Sequence, residues 1–269
     1  MPGATNDFLV KIEQINLVAQ NTFRISLKQS GISRYVHAGQ FVNIKIPSNE
    51  ILWRRPFSVH KINSVQNTFD ILFNAIGRGT AALSKMEVGQ QLRVLGPLGK
   101  AFVYPENTEE IIIVAGGLGI APFLLLLQDM ADMDIPKHLF YGVKTGSLAC
   151  CVEEIHQLGA HLHLVTEDGS EGQKGLVTEF FEKYLLSLPV RDKRMVYACG
   201  PHPMLVKAQE LVKRFGLKGQ VSVENMMACG FGACVGCPVK MARPTESKFY
   251  YLACTDGPVF DLDEVILDD

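Results

Sequence analysis

The chain has 269 residues, 47% of them hydrophobic and 20% charged, so it can bury a substantial core. Its formal net charge of -2 provides no global field for nucleic acid or acidic lipid, and no basic cluster proposes a local one. The start "MPGATNDFLVKIEQ" lacks a basic stretch followed by an apolar run, which argues against a secretory signal and for a cytoplasmic, non-membrane protein.

Residues 8–100 are rich in short alternating segments: "FLVKIEQINLVAQ", "TFRISLKQ", "QFVNIKIP", "TFDILFNAI" and "QQLRVLGP". Glycine, proline and asparagine punctuate them, which predicts an antiparallel barrel or sandwich over residues 1–102. Within it, "RRPFSVH" places Arg55, Pro56, Phe57 and Ser58 on one strand. Arginine can pair with a phosphate, while a ring face and a hydroxyl suit a flat heterocycle. In "IGRGTAALSKM", Gly77 and Gly79 bracket Arg78, and Thr80 opens a helical pattern, as in a phosphate cradle. Each alone also reads as an ordinary strand or turn.

From about residue 110 the texture changes to buried strands alternating with helices. "EEIIIVAG", "KHLFYGV", "HLHLVTE" and "RMVYACG" are the strands. "APFLLLLQDMADM", "SLACCVEEIHQLG", "GLVTEFFEKYLLSL" and "PMLVKAQELVKRFG" are the helices. Four alternations predict a doubly wound parallel sheet over residues 103–220. The apolar run 111–127 is broken by three glycines and a proline, so it reads as strand, turn and buried helix, not as a membrane span. In "VAGGLGIAP", Gly116, Gly117 and Gly119 sit at the first strand-to-helix connection, where a pyrophosphate can approach the backbone. "ACGPHPM" ends the fourth strand, bringing Cys199 and Gly200 to the same edge. Glu167 and Asp168 end the third strand; at a nicotinamide site they would repel a 2′-phosphate and favour NAD over NADP, and they read equally well as a solvated acidic turn. Cys150 and Cys151 read as helical filler, and the alternating His161 and His163 as a strand face.

Residues 221–269 lose regularity and are too few to build much core without a staple. Here "ACGFGACVGC" places Cys229, Cys234 and Cys237 in a C-x4-C-x2-C loop, with Cys254 further on. That spacing matches plant-type [2Fe–2S] ligation, whose irons require thiolates. Structural zinc held by four cysteines is the alternative, though such sites usually show two close pairs. Met226 and Met227 read as packing beneath the loop.

The motifs "RRPFS", "GRGT", "GPLGKAF", "GGLGIAP" and "CGPHPM", in this order, resemble the ferredoxin–NADP reductase superfamily. The C-terminal "ENMMACGFGACVGC" and "CTDGPVFD" resemble the iron–sulfur, electron-transfer subunits of class B dihydroorotate dehydrogenases. The resemblance implies a multidomain β plus α/β chain: an FAD-binding barrel, an NAD(H)-binding parallel-sheet domain and a small C-terminal [2Fe–2S] domain. It assigns Arg55, Pro56, Phe57 and Ser58 to the flavin, with phenylalanine where many relatives have tyrosine. It gives Gly77, Gly79 and Thr80 to the FAD pyrophosphate, and Gly117, Gly119, Cys199 and Gly200 to the nicotinamide site. Cys229, Cys234, Cys237 and Cys254 become the iron ligands. It implies an FMN-containing catalytic partner that oxidises dihydroorotate, in a heterotetramer serving pyrimidine biosynthesis. Reductase subunits of ferredoxin, hydrogenase or sulfur-reducing complexes share this architecture. Some of the ferredoxin-linked group carry aspartate as first ligand where this chain has Cys229. A non-redox nucleotide-binding module with structural zinc is the reading from another class.

Overall fold

The alternating segments close into a six-stranded antiparallel barrel in the computed structural model, which describes residues 5–48, 51–189, 193–246 and 248–267. Its strands are β1 (Asn6–Ala19), β2 (Thr22–Lys28), β3 (Phe41–Lys45), β4 (Arg55–Asn63), β5 (Thr68–Asn74) and β6 (Gln91–Leu98). They pair in the order β1-β2-β5-β4-β3-β6, and β6 returns to β1. Alternate residues such as Ile25, Leu27, Val42, Ile44, Val59 and Ile71 point inward and are fully buried. Closure removes the exposed edges that a sheet of this length would otherwise carry. Two short helices decorate the barrel, α1 (Ser30–Ser33) and α2 (Arg78–Leu83).

The second half builds a mixed seven-stranded sheet. Its first strands are β7 (Glu110–Gly116), β8 (Lys137–Val143), β9 (His161–Thr166), the short β10 (Gln173–Lys174), β11 (Arg194–Cys199) and β12 (Lys218–Ser222). All are parallel, in the order β10-β9-β8-β7-β11-β12. The order reverses between β7 and β11, so the crevice at their carboxyl ends is the topological switch point. "GGLGIAP" and "CGPHPM" both emerge there.

The helices follow from their apolar spacing. In α5 (Val177–Ser187), Val177, Phe181 and Leu185 lie four residues apart and are buried. In α6 (His202–Arg214), Leu205, Ala208, Leu211 and Val212 do the same. Helix α3 (Phe123–Asp129) buries Phe123 to Leu127 completely. It is apolar on every side because one continuous core joins the barrel to this face of the sheet. The stretch "SLACCVEEIHQLG" is helical only over α4 (Val152–Gln157). Cys150 and Cys151 precede it, and Cys151 adopts a left-handed backbone, φ 64°.

The C-terminal segment contributes β13 (Pro238–Lys240), β14 (Tyr250–Leu252) and β15 (Val259–Asp261). β13 and β14 form a small hairpin sheet. β15 runs antiparallel to β12 and completes the large sheet. The sequence boundary expected at residue 220 therefore falls inside β12, a fifth strand that "LKGQVSV" did not announce because it is short and carries polar residues. Cys237, Val239, Ala253 and Cys254 join the core on the second face of the sheet, which supplies the staple that the short segment needs. Among the described residues, no helix is long and apolar enough to cross a membrane.

Candidate functional site

The structure gathers the candidate residues into three sites. The first is a cleft of about 470 Å³ on the barrel, lined by Ile51, Leu52, Trp53, Arg55, Ile76 and residues 77–80. Arg55 meets the "GRGT" turn here: a Cβ on Gly79 would lie 3.4 Å from Arg55 Nε. Arg55 Nη1 donates to the carbonyl oxygens of Trp53 and Arg54, which fixes its direction. The Gly77 N–H donates to Thr80 Oγ1 at 3.1 Å, holding the turn. Trp53, 52% exposed, adds an aromatic wall that the sequence reading passed over. The cation, the glycine turn and the aromatic wall suit a dinucleotide's phosphates and rings. Pro56, Phe57 and Ser58 do not line this cleft. Phe57 is in the barrel core, its ring 5.7 Å from that of Phe73, while Pro56 and Ser58 are half-buried.

The second site is a cavity of about 380 Å³ at the switch point. The barrel lends Thr22 and Asn74; the sheet lends Gly116, Gly117, Leu118, Tyr141, Lys144, Cys150, Glu167, Pro201 and Met204, among others. Gly117 is thus in the lining as expected. Gly119, Cys199 and Gly200 do not line it; Gly119 packs against Cys199 and Gly200, and Gly200 against Gly116. Cys199 is buried, and burial pushes its thiol up and keeps it protonated. Gly200 approaches so closely that a Cβ would stand 2.8 Å from Gly116 N. Glu167 reaches the cavity, whereas Asp168 turns back to accept bonds from Ser170 N (2.9 Å) and Oγ (2.6 Å). Cys150 also lines this cavity, 3.6 Å from Tyr141 OH, rather than filling a helix.

The same contact is pinned by buried polar groups. His60 Nδ1 lies 2.7 Å from the carbonyl oxygen of Ala121 in "GGLGIAP". Gln128 brackets Ile62, accepting from its N–H at 3.1 Å and donating to its carbonyl at 3.2 Å. Arg24 and Lys61 both donate to Glu154. Strand β4 is thereby locked to α3 and α4.

The third site is the cysteine loop. Cys237 Sγ and Cys254 Sγ are 3.3 Å apart, and the Cys234 N–H donates to Cys229 Sγ at 3.4 Å. The four cysteines thus meet through one sulfur–sulfur contact, 237 with 254, and one N–H to sulfur bond, 234 to 229. Among the described residues, no three Cys, His, Asp or Glu side chains converge on one point as ligands of a single ion. The C-x4-C-x2-C spacing with a distant fourth thiol suits two bridged irons better than one tetrahedral zinc. Gly230 and Gly232 hold φ near +81° and +87°, a left-handed geometry that lets the loop curl inward. Burial alone pushes the Cys229 thiol up. The N–H groups of Phe231, Cys234 and Ala233 outweigh it and bring the thiol down to about 7. Burial, together with Cys237, pushes Cys254 up to about 12, so its thiolate requires a cation. Met226 is 87% exposed rather than packed beneath the loop; Met227 does pack against the core. A wider groove, about 1150 Å³, runs between α6 and the C-terminal segment, away from all three sites.

Residues 224–266 match the model for the iron-sulfur cluster binding domain of dihydroorotate dehydrogenase B. Residues 113–210 match an oxidoreductase NAD-binding domain, and residues 9–104 an oxidoreductase FAD-binding domain. The "Dihydroorotate dehydrogenase B (NAD(+)), electron transfer subunit" of Desulforamulus reducens is 32% identical over 260 residues, 96% of this chain and 98% of that protein. The chain belongs to the electron transfer subunits of dihydroorotate dehydrogenase B. Another member of that family, from Caldanaerobacter subterraneus subsp. tengcongensis, is 36% identical over 93% of this chain and 94% of its own length.

Solved structures agree on the architecture of this electron transfer subunit. A chain from the structure of an NADH-dependent reduced ferredoxin-NADP oxidoreductase superposes with a TM-score of 0.85 at 26% identity, covering all of this chain and 92% of that one. Ferredoxin-NADP+ reductase from Plasmodium falciparum shares the fold, with a TM-score of 0.65 over 80% of this chain and 96% of that one at 16% identity.

Proposed function

We propose that this chain carries electrons from dihydroorotate oxidation to NAD+, as the redox-relay subunit of a two-subunit enzyme in pyrimidine biosynthesis. The observation that carries the reading is the gathering of Cys229, Cys234, Cys237 and Cys254 in one segment of a chain that also carries a cleft and a cavity of dinucleotide character. A [2Fe–2S] cluster supplies one-electron transfer, NAD a two-electron hydride, and FAD the exchange between them.

The residues have separate tasks. Arg55 holds the FAD phosphates at the turn of Gly77, Gly79 and Thr80. Phe57, with Pro56 and Ser58 beside it, stiffens the strand that carries Arg55. Gly117 gives the NAD pyrophosphate access to the backbone, and Gly119, Cys199 and Gly200 support that loop from below. Glu167 meets the ribose end of NAD and disfavours a 2′-phosphate. The four cysteines hold the irons. No acid–base pair for dihydroorotate is assigned to this chain; that chemistry belongs to an FMN-containing catalytic partner. The complex is a cytoplasmic heterotetramer, with the exposed Phe231 and Val235 of the cysteine loop facing the partner.

A visible spectrum and an iron assay test the reading directly. Flavin and iron–sulfur absorption, both bleached by NADH, are expected. A colourless, zinc-containing protein would sink the proposal. Dihydroorotate should reduce NAD+ only when partner and chain are combined. The similarity to the ferredoxin-linked oxidoreductase supports a second reading, service to a ferredoxin complex. Co-purification separates the two, because each names a different partner.

A further inference from the structure

Asn43 sits at the centre of β3, between the inward-facing Val42 and Ile44. By strand alternation it points out of the barrel, yet it is fully buried. The cysteine loop covers it. Asn43 Nδ2 donates to the carbonyl oxygen of Cys229 at 3.0 Å. Gly230 passes so close that a Cβ there would stand 2.4 Å from Nδ2. Asn43 Oδ1 has no hydrogen-bond partner among the described residues. A leucine has nearly the same shape and would bury no orphan acceptor. What the amide adds is the N–H donor to Cys229. Turning the amide over would set two acceptors face to face, so its orientation is fixed.

The other side of Asn43 belongs to the flavin strand. It pairs in register with Pro56 on β4, one residue from Arg55. Its own carbonyl accepts a bond from Arg54 Nη1 at 3.3 Å. One side chain therefore ties the backbone of the first cysteine ligand to the "RRPFS" strand, and groups behind metal ligands commonly set both the ligand's position and the metal's potential.

We infer that Asn43 is a positioning residue for electron exchange between the iron–sulfur loop and the flavin barrel, an inference that rests on the relay reading above. Its N–H donor holds Cys229 against β3 at a fixed distance from the flavin site and tunes the environment of the cluster.

The test uses the purified holo-complex carrying Asn43→Leu or Asn43→Asp, both of which remove the donor with little change in shape. NADH is mixed rapidly with each protein. Flavin bleaching is followed by absorbance, cluster reduction by electron paramagnetic resonance, and the cluster midpoint potential by redox titration. Flavin bleaching should match the unaltered protein, because NADH does not need the cluster to reach the flavin. Cluster reduction should slow about tenfold, with a displaced potential. Unchanged cluster rate and potential in both variants, beside a working unaltered complex, overturns this inference alone. Loss of iron from both variants also overturns it, assigning Asn43 to folding of the loop instead. If the unaltered complex bleaches its flavin with NADH but never reduces the cluster, the relay reading fails and takes this inference with it.

Discussion

A Cβ placed on Gly119 would stand 2.2 Å from the carbonyl oxygen of Cys199. These residues come from the two loops that meet at the switch point, and their backbones touch because one of them has no side chain. The obstacle is backbone, which cannot rotate aside. Gly119→Ala should therefore destabilise the fold by about 3 kcal/mol. It should also weaken NADH binding, since the loop carrying Gly117 must lift. Urea denaturation and an NADH titration check both effects.

His60 gives the contact between barrel and sheet a pH dependence. Burial lowers its pKa to about 4, with Arg24 and Lys61 acting in the same direction, against the Ala121 carbonyl and Glu154. The unfolded chain titrates near the ordinary 6.5 and so binds more protons between pH 6.5 and 4. Stability from this group is full above pH 6.5 and is lost as pH falls towards 4, by about 3 kcal/mol in all. His138 and His163 are lowered by burial and act in the same direction. Urea midpoints between pH 5 and 7 should fall with acidification, and His60→Gln should flatten that slope. An unchanged slope would show that His60 is not the group responsible.

Arg55 is, with Arg78, one of two cations lining the barrel cleft. Arg55→Ala should weaken FAD binding on the order of 10–100-fold, the range expected for losing charge-assisted hydrogen bonds worth about 1.5–3 kcal/mol. Thermal stability should change little, because the Arg55 side chain is only half-buried. Quenching of flavin fluorescence on titrating the apoprotein gives the dissociation constant.

Removing one member of a sulfur pair should cost the iron and spare the flavin. Cys254→Ser is expected to lose the iron–sulfur absorption and the dihydroorotate-driven reduction of NAD+ in the complex. NADH oxidation by an artificial flavin acceptor should persist, since Cys254 lines neither the cleft at Arg55 nor the cavity at Gly117. An iron assay alongside the acceptor assay decides.

Glu167 should govern the choice of cofactor. Glu167→Gln removes the negative charge from the cavity and should improve use of NADPH relative to NADH on the order of tenfold, about 1.4 kcal/mol. Asp168→Asn should do little, because that carboxylate does not line the cavity and its Oδ1 is turned to Ser170. Ratios of kcat/KM for the two cofactors measure it.

The sequence alone determined the succession of barrel, parallel sheet and cysteine segment. Hydrophobic periodicity is local: period two along Phe23–Leu27 and period near four along Val177–Leu185 are written in neighbouring residues. The C-x4-C-x2-C spacing is equally local, so the four cysteines stand out as candidates from chain order alone. What the chain order could not reveal were relationships across long separations. β12 and β15 are too short for periodicity to mark, and only their pairing makes them the end of the sheet. Gly119 and Gly117 look alike in sequence, yet one props the loop and the other lines the cavity, because only the packing of β11 against β7 distinguishes them. Cys150 belongs to a cavity and Asn43 to the cysteine loop, each across contacts that folding alone creates. Motif chemistry follows from residue type and spacing, whereas burial and approach depend on which distant surfaces close together, and tertiary packing decides that.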